Sequence, residues 1–128
     1  GLSREIVEEV AEKTLRTIRD RVEKFRRVKP MLEMRGKTAI LVDDGLASGY
    51  TMLAAIRSTK KGNPRRVVVA VPTASTAAIE LVSREVNKIL CLNIRGGPFF
   101  AVADAYREWR DLADDEVIEI LRRISEGS

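Results

Sequence analysis

Histidine and glutamine are missing from this 128-residue chain, and cysteine occurs once. Without an imidazole, a His-based catalyst and a Cys–His dyad are both excluded, so any acid–base work falls to carboxylates, Lys or Tyr. Cys91 sits in the apolar run Ile89-Leu90-Cys91-Leu92 and has no second cysteine to pair with. It reads as a core residue, and a reducing cytoplasm is the expected location. No apolar run approaches the roughly 18 residues of a membrane span, and no signal peptide is legible. Aromatics make up only 5% of the chain, with Phe99, Phe100, Tyr106 and Trp109 close together. The net charge of +4 comes from dispersed Lys and Arg. It fits a solvated helix surface and attraction of a polyanionic small molecule, and no nucleic-acid-binding module fits the length.

What is present is concentrated in residues 39–51, Ala-Ile-Leu-Val-Asp-Asp-Gly-Leu-Ala-Ser-Gly-Tyr-Thr. An apolar strand pattern ends in the adjacent acids Asp43 and Asp44. A loop of small residues follows, with hydroxyls at Ser48 and Thr51, and an apolar helix pattern begins at Met52 and Leu53. Carboxylates suit sugar hydroxyls or a metal. Free N–H groups at a helix N-terminus favour an anion. The combination describes a site for a phosphorylated sugar. Rival phosphate motifs are absent: there is no Gly-x-x-x-x-Gly-Lys-Ser/Thr, and no Gly-x-Gly-x-x-Gly follows the strand.

Elsewhere the periodicities predict an α/β chain, a Rossmann-like parallel sheet with flanking helices. Ser3 is the expected cap of a long helix over 3–28, with Val7, Ala11, Leu15, Ile18, Val22 and Phe25 in one stripe, ending before Pro30. Strands are expected at 38–43, 66–71 and 88–92, apolar without alternation as in a sheet covered on both faces. Helices are expected from Gly49 or Tyr50 to Lys60, and from Ser75 or Thr76 to about Val86. Pro72-Thr73-Ala74 should leave the second strand. A cap segment and a final helix begun by Asp114 fill 93–124. Length predicts one domain over 1–128, with the α/β core at 38–92.

Residues 39–51 resemble the phosphoribosyl-pyrophosphate (PRPP) motif of the type I phosphoribosyltransferases: four apolar residues, two acids, two mostly apolar positions, and a loop of the form Thr/Ala-Gly-x-Thr. Ser48 stands where Thr is commoner and keeps the hydroxyl, and Tyr50 fills the free position. The likeness runs from about residue 3 to 124 and is closest to bacterial and archaeal members of unassigned substrate. It includes Ala70-Val71-Pro72 and Phe100-Ala101-Val102-Ala103. The resemblance implies that Asp43 and Asp44 bind ribose hydroxyls directly or through a hydrated Mg²⁺. It implies that Gly45, Leu46, Ala47, Ser48, Gly49, Tyr50 and Thr51 form the substrate and 5′-phosphate loop, and that Phe99 or Phe100 contacts the base.

The implied ligands are PRPP or a nucleoside 5′-monophosphate, and the implied reaction is phosphoribosyl transfer to a nitrogenous base with release of pyrophosphate. The alternative is a non-catalytic module that senses PRPP or a nucleotide. In the family an earlier strand carries a loop that grips pyrophosphate. No such loop is found in these residues, so N-terminal strands of the fold are expected to be missing and the chain alone is expected to transfer negligibly. A strand at 38–43 without that neighbour would leave an apolar edge. Either a homo-oligomer or the long helix is expected to cover it.

Overall fold

The computed structural model describes residues 4–28, 32–97 and 100–126. Two compact units divide the chain: Gly1–Leu32 with Arg110–Ser128, and Glu33–Trp109. Ser3 and Pro30 lie outside the described residues.

The first unit is a helix pair, α1 (Arg4–Val28) and α4 (Asp114–Glu126). Acids open α4 and basic residues close α1, as the helix dipoles favour. Asp114 is the first helical residue rather than the expected cap. Its carboxylate meets Arg21 Nε at 3.4 Å and Lys24 Nζ at 3.5 Å. The start of α4 is instead secured by Glu116, whose carboxylate accepts the Ala113 N–H at 2.9 Å and a two-pronged bond from Arg110. Together these hold Glu116 at a pKa of about 2. Leu15, Ile18 and Val22 of the α1 stripe are exposed.

The second unit is the sheet. Strands β1 (Thr38–Val42), β2 (Arg66–Ser75) and β3 (Lys88–Arg95) are parallel, in the order β1-β2-β3, with α2 (Tyr50–Lys60) and α3 (Thr76–Ser83) as the crossovers. The α/β class with a parallel sheet and flanking helices is the one the sequence predicts. Two crossovers of one hand, moving the same way across the sheet, lie on one face. Val67, Val69 and Val71 of β2 pack there with Ile56 of α2 and Ala78 and Val82 of α3. Ile56, Val69 and Val82 are fully buried, so truncating Ile56 to Ala would cost about 2–5 kcal/mol.

Three expectations differ from the structure. Within this unit and among the described residues, helices cover one face of the sheet only: Ile40, Val42, Leu90, Leu92 and Ile94 on the other are exposed, and β1 alternates accordingly. β2 does not end at Val71 but continues to Ser75, and β3 continues past Leu92 to Arg95. The register passes over Pro72, which has no N–H to give, and resumes at Thr73↔Asn93. α3 stops at Ser83 rather than near Val86. The chain must turn there so that Asn87 can bracket the start of β2, its N–H donating to Val67 O and its side-chain Oδ1 accepting the Val67 N–H at 2.8 Å.

Candidate functional site

The site lies where β1 ends. Val42 is the last residue of the strand, and the turn Asp43-Asp44-Gly45 follows. Asp43 Oδ1 accepts the Asp44 N–H at 3.0 Å, which closes the turn on itself. Partial burial of the Asp43 carboxyl raises its pKa, and the neighbouring charge of Asp44 adds to the rise. The Asp44 N–H bond works in the opposite direction. From the far side, the Tyr106 phenol donates to Asp44 O at 2.6 Å.

Gly45 is required by space. A Cβ there would lie 2.6 Å from Val102 Cγ1 and 2.9 Å from Thr73 Cγ2. Leu46 then joins the sheet briefly. Its N–H donates to Thr73 O at 3.0 Å, and its carbonyl accepts the Ser75 N–H at 2.9 Å. Ser75 fastens the next residue as well: its Oγ donates to Ala47 O at 2.6 Å and accepts the Ala78 N–H at 3.0 Å as the cap of α3. The loop is thus tied to β2 at two successive residues and arrives at α2 in a fixed place.

Gly49 caps α2 in the left-handed region, at φ 80, with no side-chain cap bond. A Cβ would also press on Ala78 at 3.2 Å. The first intrahelical bond runs from Leu53 N–H to Gly49 O at 2.9 Å. The N–H groups of the preceding turn therefore have no partner within the helix and sit at its positive end.

A cavity of about 200 Å³ runs along this arc, lined by Asp43, Gly45 through Gly49, Thr51, Met52 and Val102. Asp44 and Tyr50 do not line it, and Tyr50 is 68% exposed. A larger cavity of about 600 Å³ shares Ala47 and Ser48 with the first and extends to Thr76, Glu80, Arg95 and Phe100. Phe100 therefore borders the second cavity; Phe99 lies outside the described residues. Residues that the sequence pattern did not mark are Thr73, Ser75 in its bond to Ala47, Val102 and Tyr106. The hydroxyl of Thr73 is buried and has no hydrogen-bond partner among the described residues. The sequence marks Tyr106 only as a neighbour of Phe99, Phe100 and Trp109, which gives no sign of a tie to the acid turn. Among the described residues no group of three or more His, Cys, Asp or Glu side chains is placed to hold a metal, and no helix is long and apolar enough to cross a membrane.

A parallel α/β sheet with flanking helices, whose acid turn and small-residue loop follow the carboxyl end of a strand, places the chain among open α/β proteins, in which crevices at the carboxyl ends of strands are the usual ligand sites. The sequence model of the phosphoribosyl transferase domain matches residues 5–104. The chain belongs to the phosphoribosyl transferase domain family. It is 33% identical over 114 residues to Mycobacterium tuberculosis proteins from two strains, named "Putative phosphoribosyl transferase MT0597" and "Putative phosphoribosyl transferase Rv0571c". The match covers 89% of this chain and 26% of each relative, so the chain spans about a quarter of their length. The crystal structure of TT1426 from Thermus thermophilus superposes with a TM-score of 0.79 at 34% identity, over 95% of this chain and 58% of TT1426.

Proposed function

We propose that the chain binds PRPP or a nucleoside 5′-monophosphate at Asp43–Thr51 and serves phosphoribosyl transfer to a nitrogenous acceptor. The observation that carries this reading is the single cavity joining the Asp43 carboxyl to the uncapped start of α2. One end suits sugar hydroxyls and the other a phosphate. In this reading the 5′-phosphate lies against the N–H groups of Ala47 to Thr51 and the hydroxyls of Ser48 and Thr51, where the helix end favours an anion without a lysine. Asp43 takes the ribose hydroxyls from the cavity wall, and Asp44, beside it in the turn but outside the lining, reaches them from the rim.

Two adjacent carboxylates without a third acidic ligand fit Mg²⁺, which keeps several waters and takes one or two carboxylates plus substrate oxygens. When bound, Mg²⁺ would supply neutralisation of the pyrophosphate charge. The bond from ribose C1 to the pyrophosphate oxygen breaks with its electron pair leaving on pyrophosphate, a bond from C1 to the acceptor nitrogen forms, and the proton of that nitrogen is released to the departing pyrophosphate. Positive charge developing on the ribose falls beside the Asp43 and Asp44 carboxylates, held in place before the reaction. The larger cavity, with Phe100 on its wall and Ala47 and Ser48 shared with the phosphate loop, suits the acceptor. The protein acts in this reading as a cytoplasmic homo-oligomer.

Titration calorimetry with PRPP, ribose 5-phosphate and a nucleoside monophosphate, each with Mg²⁺, tests the proposal. Saturable binding of at least one, lost in Asp44→Ala, is expected. Failure of all three, or an Asp44→Ala variant that binds like wild type, refutes it.

A further inference from the structure

We infer that Tyr106 is a positioning residue for the acid turn, an inference that rests on the reading of Asp43–Thr51 as a ribose-phosphate site. The two groups are 62 residues apart in the chain, and the phenol O–H reaches Asp44 O at 2.6 Å. That is at the short end for a hydroxyl donor. Among the described residues no other side chain from outside the turn bonds the backbone of residues 43–45.

The phenol is itself held. Its ring meets Trp109 edge-on, with centroids 5.3 Å apart and planes at 63°. The Tyr106 backbone N–H donates to Ala103 O at 3.1 Å, closing the short 3-10 helix Val102–Ala105. Four residues earlier, Val102 packs directly on Gly45. Segment 102–109 therefore grips the turn at two adjacent peptides, Val102 at Gly45 and Tyr106 at Asp44.

The consequence is geometric. A peptide unit is planar, so fixing the direction of the Asp44 carbonyl fixes the plane between Asp44 and Gly45. With the Asp44 N–H held on the other side by Asp43 Oδ1, that plane sets the Asp44 ψ torsion, and with it the direction of the Cα–Cβ bond that carries the carboxylate. The phosphate loop is held by other means, the β2 bonds of Leu46 and Ala47. Tyr106 thus governs the carboxylate end of the site and not the phosphate end. Loss of one hydroxyl should weaken the sugar contacts and spare the anion contacts.

Tyr106→Phe removes only that hydroxyl and keeps the ring against Trp109. The full chain and the variant are titrated with ribose 5-phosphate plus Mg²⁺ and, separately, with inorganic phosphate. Folding is checked by circular dichroism. The expected result is a loss of about tenfold in ribose 5-phosphate affinity, the size of one well-placed hydrogen bond, with phosphate affinity unchanged. Trp109 is the one tryptophan of the chain. Its emission should respond to ribose 5-phosphate in wild type, and the response should shrink in the variant. Equal loss for both ligands assigns Tyr106 a merely structural role and overturns the inference, as does no loss for either. A wild-type chain that binds no ribose 5-phosphate defeats the functional reading itself, and the inference falls with it; that result is seen before any variant is compared.

Discussion

Gly45→Ala is the smallest change that should damage both fold and site. An ideal Cβ at this position lies 2.6 and 2.9 Å from the two Val102 Cγ atoms and 2.9 Å from Thr73 Cγ2. Carbon atoms rest at roughly 3.5 Å or more, so each contact is about 0.6–0.9 Å too short. Thr73 is 1% exposed and belongs to the central strand, so it cannot step aside. Val102 can retreat only by drawing the 102–106 segment away from the acid turn. Overpacking of this kind costs about 1–3 kcal/mol. For a chain of this size that corresponds to roughly 4–12 °C in melting temperature. Thermal melts followed by circular dichroism measure the cost, and ribose 5-phosphate titration with Mg²⁺ measures the effect on the site, where affinity should fall. The double variant Gly45→Ala/Val102→Ala removes both Val102 Cγ atoms and two of the three short contacts. It should be less destabilised than the sum of the single variants by about 1 kcal/mol or more. An unchanged melting temperature for Gly45→Ala, or strict additivity of the pair, would refute the packing argument.

Asp43, whose pKa is raised chiefly by burial, binds its proton more tightly in the folded chain than in the unfolded one. Its contribution is therefore most favourable at acid pH and is lost as pH rises through the folded value. Asp43→Asn should raise the melting temperature at neutral pH while abolishing ribose 5-phosphate binding; a lower melting temperature contradicts the sign. Glu116 behaves oppositely. Its pKa of about 2 means that its pairing with Arg110 and the Ala113 N–H stabilises α4 above the ordinary Glu range and is lost as pH falls toward about 2. Hydrogen exchange of the first α4 amides should show that acid step in wild type and lack it in Glu116→Gln. For assembly, light scattering should give twice the 14.3 kDa chain mass, because among the described residues β1 pairs only with β2, and Val42 and Leu92 stand 74% and 91% exposed on one sheet face. Leu92→Glu should return the monomer, and a wild-type monomer would count against the proposal.

The parallel order of the sheet was legible because each apolar run is followed by a helix of matching period. So was the acid–loop–helix order of the site, because every residue in it is local to its neighbours in the chain. The ends of β2 and β3 were not legible. Pro72 reads as a strand terminator and Asn93 and Arg95 as loop residues, yet each of these strands is extended by the other through the register beyond Pro72. Coverage of a single sheet face was hidden for a similar reason. Ile40 and Val42 are as apolar as Ala39 and Leu41, and nothing local distinguishes the exposed pair from the half-buried one. The grip on the acid turn was invisible to pattern. Gly45 reads as a turn glycine until Val102 is found against it, and Tyr106 reads as a member of an aromatic cluster until its hydroxyl is found on Asp44.

Whether Asp43 to Thr51 form one site for a ribose 5-phosphate unit is decided by a crystal structure of the chain with ribose 5-phosphate and Mg²⁺. The phosphate is expected within hydrogen-bond distance of the N–H groups of residues 48–51, with the sugar hydroxyls directed to Asp43 and Asp44. A sugar phosphate bound elsewhere, or bound here with its phosphate at the carboxylates and its hydroxyls at α2, would contradict that expectation.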